Sequence, residues 1–567
     1  MNGAEYLVKF FQDKGVDVIF GYPGGSVIFL YDVLGKSTLK HVLTRHEQGA
    51  VHAADGYARV TGKPGVCFAT SGPGATNLVT GLANAYLDSV PLIAITGQVA
   101  LNCIGRDSFQ EADIIGITMP IIKHSYMVKE IEQLPAIMEE AWNVAVSGRP
   151  GPVVVDIPKD MFMGTVDISV PHKRIVTRKG PQKNGLEEQL PKIIEALSRA
   201  ERPLIFAGGG IISGQAGEEL RKFVDYTHIP MVTSLMGKGA IPETREDVLG
   251  MVGMHGKPAA NLALSACDVM LALGVRFSDR VTGDPKKFLP DTAIIHVDID
   301  AAELSKNVIA EIPVVCDAGK FLNKILEKMK EKKTKFHVQG WLEQIKEWQR
   351  KYPLSYEKGA CLKPQQVIEE VARQAGDKAV VVTDVGQHQM FAAQYYPIGG
   401  VRNFLTSGGL GTMGFGLPAA IGAAFGRPGE NVLLFTGDGG IQMNIQELAT
   451  AVKNRLPVKI FLLNNVCLGM VRQWQELFFA GNYAHTLLEG NPDFMKLADA
   501  YGMKALKITD PKEVAAMVSQ ALSEPGPVFV ECVIDQGENV FPIVPPGGKP
   551  SEMLGRWPGE AHISRIS

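Results

Sequence analysis

The seven cysteines of this 567-residue chain are scattered and form no CxxC pair. That spacing excludes a disulfide framework and a cysteine-built zinc site, and reads as reduced thiols in a cytoplasmic protein. No apolar run reaches the roughly 18–20 residues that a bilayer span needs. The opening MNGAEYLVKF lacks a charged n-region and an apolar h-region, so no secretory or transit signal is expected. Net charge is only −3, which gives no electrostatic case for nucleic acid or an anionic membrane. No segment is of low complexity. What is present is ordinary for a globular protein: 46% hydrophobic, 21% charged, and 61 glycines, as in α/β proteins with many tight turns. At roughly 100–200 residues per domain, about three domains are expected.

Short apolar runs alternate with helical stretches along the chain, each run ending in a Gly, Pro or polar turn. This predicts βαβ units and parallel sheets, hence an α/β fold of three doubly wound parallel-sheet domains. The units span residues 1–164, 190–335 and 364–545, with a tail over 546–567. Residues 165–185 are polar and aperiodic and read as a linker. The run LEKMKEKKTKFHVQGWLEQIKEWQRKY, with its acids and bases interleaved, reads as a charged, solvated helical connector. The first and third units share a βα rhythm but no close sequence repeat.

The third unit carries NVLLFTGDGGIQMNIQELATAVKNRLPVKIFLLNNVCLGM. NVLLFT and VKIFLLN flank a helical stretch and read as adjacent parallel strands joined by a crossover helix. Asp438 then follows the first strand and Asn465 the second, both at the carboxyl edge where ligands bind in open α/β sheets. A plain Asp turn and Asn turn would explain a lone GDG. The pairing with NN suits a metal diphosphate: Mg²⁺ takes hard oxygens from few protein groups plus phosphate. Gly437, Gly439 and Gly440 let the backbone approach, and the following helix N-terminus favours an anion.

GDGG with a distant NN resembles the thiamine diphosphate motif. The wider chain resembles the catalytic subunits of the acetohydroxyacid synthase (biosynthetic acetolactate synthase) family. The matching segments are GYPGG (21–25), RHEQGA (45–50), ATSGPGATN (69–77), SGRPGPVVVDIPKD (147–160), MVGMHG (251–256), GGLGTMGFGLPAAIGA (408–423), GDGG, and the tail segment VPPGGKPSEML.

The resemblance implies a transferase with pyrimidine-binding, central FAD-binding and diphosphate-binding domains. Pyruvate loses CO₂ on thiamine diphosphate, and the hydroxyethyl group joins a second pyruvate or 2-oxobutyrate. The products, 2-acetolactate and 2-aceto-2-hydroxybutyrate, start branched-chain amino-acid synthesis (valine, leucine, isoleucine). The Mg²⁺ ligands implied are Asp438, Asn465 and the carbonyl of Cys467. Glu47 would hold the cofactor's aminopyrimidine, and taken alone it reads only as a helix N-terminal acid. In the family this glutamate and the metal motif come from different subunits, which implies a homodimer or homotetramer. Gly25 and Gln110 would face the reacting centre, and Lys159 the channel and flavin. Met413 would wedge the bent cofactor and the Gly411 carbonyl accept from its amino group. Gln387 and His388 would contact the diphosphate, with Met470 beside the cofactor. Trp474 would shape the second-substrate pocket; at helical spacing beside Met470 and Phe478 it also reads as core packing. Arg276 could pair with the acceptor carboxylate or form a surface ion pair.

In the middle unit, LIFAGGGIISG with Gly208, Gly209 and Gly210 is by itself a weak nucleotide signal. Strand-end acids Asp298 and Asp317 are placed for nucleotide hydroxyls or ring groups. The resemblance implies a non-redox FAD here, held also by Arg149, His255 and Arg276. One departure stands: the family commonly has RFDDR, and this chain has RFSDR with Ser278. The family usually pairs with a separate regulatory subunit. Rival readings are pyruvate oxidase, a flavin-free acetolactate synthase, glyoxylate carboligase (which lacks the activating glutamate) and a non-catalytic nucleotide-binding protein.

Overall fold

A computed structural model describes residues 1–167, 186–558 and 563–566. Most of the linker expected over 165–185 lies outside the described residues. The rest forms three six-stranded sheets, each wholly parallel, plus a two-residue antiparallel ribbon in the tail. This is the expected fold class.

The first sheet comprises Val18–Gly21 (β1), Lys40–Leu43 (β2), Gly65–Ala69 (β3), Leu92–Gln98 (β4), His124–Met127 (β5) and Pro152–Pro158 (β6), in the order β2-β1-β3-β4-β6-β5. The second comprises Pro203–Ala207 (β7), Met231–Thr233 (β8), Val248–Met251 (β9), Val269–Leu273 (β10), Ala293–Asp298 (β11) and Ile312–Val315 (β12), in the order β12-β11-β10-β7-β8-β9. The third comprises Val380–Thr383 (β13), Phe404–Leu405 (β14), Val432–Gly437 (β15), Val458–Asn464 (β16), Lys504–Ile508 (β17) and Val528–Val533 (β18), in the order β14-β13-β15-β16-β18-β17. The central strands are buried at every residue, because helices cover both faces of a parallel sheet.

The first and third sheets have the same strand order. Their shared βα rhythm is therefore a shared topology, without close sequence likeness. The middle sheet, read from β9, runs β9-β8-β7-β10-β11-β12, the classical dinucleotide-binding order, with its switch point between β7 and β10.

In the first and third units, the helix after the second strand lies at the interface between them. Helix Glu47–Thr61 packs against helix Gly416–Gly426. A methyl at Gly56 would overlap the Ala419 backbone, and one at Gly422 the Ala53 carbonyl. Glycine is needed at both positions for the two backbones to approach. Arg59 pins the joint: it pairs with Asp55 and Asp88 and donates to the Thr406 carbonyl at 2.9 Å.

The charged run after the middle unit is more than a solvated connector. It forms helices Ala318–Glu331 and Gln339–Lys351. In the second, Trp341 and Ile345 are buried and Trp348 partly so, all against the middle unit. Their four- and three-residue spacing is an apolar helix stripe hidden among charges. The end of the third unit also meets the middle unit, where Val544 N–H donates to the Met254 carbonyl at 2.8 Å, and in the tail Met553 and Trp557 pack with Tyr352.

Candidate active site

β15 and β16 pair in parallel over six residues. Gly437 ends β15, and Asp438 opens helix Asp438–Ile441. Asn464 ends β16, and Asn465 follows it. The two candidate ligands thus stand side by side at the carboxyl edge, as expected. They line a cleft of about 560 Å³ together with Gln387, His388, Met413, the Gly437–Gly440 turn, Cys467 and Met470.

Asp438 is 1% exposed, and its Oδ2 accepts from Asn491 Nδ2 at 2.7 Å. Burial is the main influence on it and raises its pKa to about 6. Asn465 Oδ1 accepts from the Cys467 N–H at 3.3 Å, and its Nδ2 donates to Gln387 Oε1 at 3.2 Å. Val466 between them has φ +55°, a left-handed conformation that a β-branched residue rarely adopts. Such strain costs roughly 1–3 kcal/mol and persists only where the surroundings enforce it. Here Val466 N–H donates to Asn464 Oδ1 at 3.1 Å, and its carbonyl accepts from Leu488 N–H at 3.0 Å. The turn places Cys467 in the cleft wall.

A metal diphosphate needs anion donors, hard oxygen ligands and a close backbone. Helix Gln387–Tyr395 starts at the cleft wall and supplies an N-terminus. His388 Nε2 is buried without a partner, and burial drives the ring's pKa down to about 3, so it is neutral. A methyl at Gly437 would meet His388, and one at Gly440 the Asp384 carboxylate. Among the described residues no three His, Cys, Asp or Glu side chains cluster for a metal. The donor set of one carboxylate, one amide and one backbone carbonyl therefore suits a hard cation that takes phosphate oxygens as well. These residues fit the group.

Two residues not singled out from sequence shape this edge. Asp384, 1% exposed after β13, accepts from Gly414 N–H at 2.9 Å and Gly416 N–H at 3.2 Å. It thereby fixes the turn that carries Gly411 (φ +73°) and Met413. Asn444 donates to the Gly414 carbonyl at 2.8 Å. A strand-end acid in TDVG is a signal that could have found Asp384.

In the first unit, Glu47 is the first residue of its helix and 8% exposed. Its Oε2 accepts from Asn77 Nδ2 at 3.0 Å. The segment from Thr70 to Asn77 gathers the neighbouring candidates. Ser26, next to Gly25, bonds Thr70 at 2.9 Å; Gly72 packs on Gln110, whose φ is +61°; Gly74 packs on Glu47. Gly25, Glu47 and Gln110 are thus brought together, and Lys159 follows β6 on the same sheet edge, exposed. No first-unit residue lines the cleft of the third unit.

Trp474, half-buried on helix Gly469–Phe478, meets Phe478 edge-to-face at 5.7 Å and is outside the core clusters. In the middle unit the candidates follow the carboxyl ends of strands, and Arg149 reaches them from the first unit. Gly208–Gly210 follow β7 and abut Gly274 after β10, at the switch point. Arg149 pairs with Glu303 at 2.7 Å and donates to Ser89 at 2.8 Å. Arg276 donates to the Leu87 carbonyl and lies 4.0 Å from Asp88. Burial raises the pKa of Asp298 to about 6 and lowers that of His255, which bonds the Pro542 carbonyl, to about 4. Asp317 caps helix Ala318–Glu331 by accepting from Lys320 N–H at 3.0 Å, a structural use of that acid. Ser278, the departure from the family pattern, is exposed.

The chain matches three family models: the N-terminal TPP binding domain of thiamine pyrophosphate enzymes over residues 1–117, their central domain over 190–325, and their C-terminal TPP binding domain over 384–532. It is 45% identical to the acetolactate synthase large subunit of Haemophilus influenzae over 567 residues, covering 99% of each chain. It is 47% identical to the probable acetolactate synthase large subunit of Methanocaldococcus jannaschii, covering 97% of this chain and 94% of that one. It is 44% identical to the acetolactate synthase isozyme 3 large subunit of Escherichia coli, covering 98% of each.

Proposed function

The chain belongs to the thiamine pyrophosphate enzymes, with the acetolactate synthase large subunits as its relatives, and we propose that it condenses two 2-oxoacids. Pyruvate is decarboxylated, and the two-carbon fragment joins a second pyruvate to give 2-acetolactate, or 2-oxobutyrate to give 2-aceto-2-hydroxybutyrate. These reactions open valine, leucine and isoleucine synthesis. The observation that carries the reading is the paired edge of Asp438 and Asn465 around a neutral His388 whose Nε2 has no partner, in a chain alike over its whole length to acetolactate synthases.

Thiamine diphosphate, when bound, would supply the nucleophilic carbon and the electron sink that decarboxylation of a 2-oxoacid requires. The chain's residues do the rest. Asp438, Asn465 and the Cys467 carbonyl hold Mg²⁺. His388, Gln387 and the Gly437–Gly440 amides hold the diphosphate. Met413, on the turn fixed by Asp384, would press on the bound cofactor, and the Gly411 carbonyl would accept a hydrogen bond from its pyrimidine amino group. Glu47 holds a proton at the pyrimidine ring nitrogen. Gly25 and Gln110 face the reacting carbon. Trp474 shapes the acceptor pocket, and Arg276 pairs with the acceptor carboxylate.

Glu47 belongs to a second copy of the chain. Two features support this: the cleft has no lining from its own first unit, and Ile28, Phe29 and Phe109, beside Gly25 and Gln110, are 55%, 41% and 88% exposed. Exposed apolar side chains around a functional edge mark a surface that another protein covers. FAD, in a non-redox role, lies along the carboxyl edge of the middle sheet, supported by the β7/β10 switch point and by Arg149, Arg276 and Asp298 there. A regulatory small subunit is a further partner, and the cytoplasm the compartment.

The test is product identity. Protein with Mg²⁺, thiamine diphosphate and FAD is given pyruvate alone, then pyruvate with 2-oxobutyrate. Formation of 2-acetolactate and of 2-aceto-2-hydroxybutyrate is expected. Acetate or acetyl phosphate with oxygen consumption would instead favour an oxidase.

A further inference from the structure

The start of the helix that carries Glu47 is held by a carboxylate from the third unit. Glu447 is completely buried, at 0% exposure. Its Oε1 accepts from Arg45 N–H at 2.8 Å and His46 N–H at 3.1 Å, and its Oε2 from the Thr450 hydroxyl at 2.7 Å. Arg45 and His46 immediately precede Glu47. His46 is the helix N-cap, its ring accepting from Gln48 N–H at 3.1 Å. Donors at a helix N-terminus lack intrahelical partners and favour a nearby anion. Gly49 makes the room, since a methyl there would overlap the Glu447 carboxylate.

Docking of the two units does not need this acid. The close pairing of helices Glu47–Thr61 and Gly416–Gly426 and the Arg59 network already join them. A buried carboxylate is costly unless its hydrogen bonds are satisfied, and here they are spent on the two peptide groups that lead into Glu47. The geometry points to Glu447 as a positioning residue: by gripping the backbone of Arg45 and His46 it fixes where the Glu47 carboxylate stands. Glu447 itself does not line the cleft. This rests on the reading that Glu47 activates the cofactor.

The test uses the full chain with Mg²⁺ and thiamine diphosphate. It reads exchange of the thiazolium C2 proton for deuterium, alongside cofactor affinity. Glu447→Ala should slow exchange roughly 10- to 100-fold, as loss of a supporting residue around a functional group does. Cofactor Kd should stay within about threefold. Glu447→Gln keeps an oxygen that can accept from both N–H groups and should restore most of the rate. Gly49→Ala, which displaces the carboxylate without removing it, should slow exchange in the same direction; it decides the matter if Glu447→Ala does not fold. Wild-type exchange in folded Glu447→Ala, or in Gly49→Ala, overturns the positioning role. Glu47→Gln is the reference: wild-type exchange there defeats the reading of Glu47 itself, whereas slow exchange there with normal exchange in Glu447→Ala defeats only the positioning.

Discussion

Asp438→Ala should remove most of the metal-dependent affinity for thiamine diphosphate. Among the described residues Asp438 is the only carboxylate that lines the cleft, with Asn465 and Cys467 beside it. Taking away the one anionic protein ligand of a buried cation resembles breaking a buried ion pair, about 3–5 kcal/mol. At about 1.4 kcal/mol per factor of ten, Kd rises roughly 140- to 4,000-fold. Asp438→Asn keeps shape and one acceptor oxygen and should fall between wild type and alanine. The cofactor-free fold should not suffer. Burial pushes the Asp438 pKa up to about 6, so the ionised form is destabilised by the fold at neutral pH. Removing it relieves that cost, and the thermal midpoint without cofactor should hold or rise. Titration calorimetry at fixed Mg²⁺, repeated with a chelator, reads the affinity. A folded Asp438→Ala protein binding within about threefold of wild type would refute the metal assignment.

Trp474→Leu should lower the preference for 2-oxobutyrate over pyruvate in a competition assay, because the half-buried indole is free to shape a pocket and is not a core residue; an unchanged product ratio would discard that role. Gly422→Ala forces a methyl into the Ala53 carbonyl and should cost about 1–3 kcal/mol, seen as a thermal midpoint lower by a few degrees; no shift would contradict the close helix pairing. The Lys238–Glu243 pair is buried to 1% and 2% exposure. Lys238→Ala should cost about 3–5 kcal/mol by stranding a buried acid, and Lys238→Met with Glu243→Gln should recover most of it in denaturant unfolding. Equal loss in both would argue against a charge-pairing role.

The strand-end placement of Asp438 and Asn465 was legible because alternating strand and turn signals put them at neighbouring strand ends whatever the strand order elsewhere. The identical order of the first and third sheets was not legible, since order depends on crossover direction, which no local pattern encodes. Glu447 lies in a helical stretch where an acid reads as solvent-facing; only the folded partner, 401 and 402 residues away along the chain, gives its carboxylate a purpose. Asp317 has a use that its strand-end position does not announce: it caps the helix that follows. Trp341 and Ile345 were masked by interleaved charges, although their stripe was present in the sequence. Gln387, His388, Met413 and Trp474 came from resemblance, because nothing in their own spacing names a ligand.

The central claim is that a metal-diphosphate edge in one chain is completed by Glu47 of another. Mixing Glu47→Gln and Asp438→Ala protomers tests it directly. Each variant alone should be inactive. After random reassociation half the dimers are mixed, and each mixed dimer holds one intact site, Glu47 from one chain with Asp438 from the other. The account predicts recovery of about a quarter of wild-type acetolactate formation. No recovery from a mixture shown to contain mixed dimers would place both residues of a site in the same chain and contradict it.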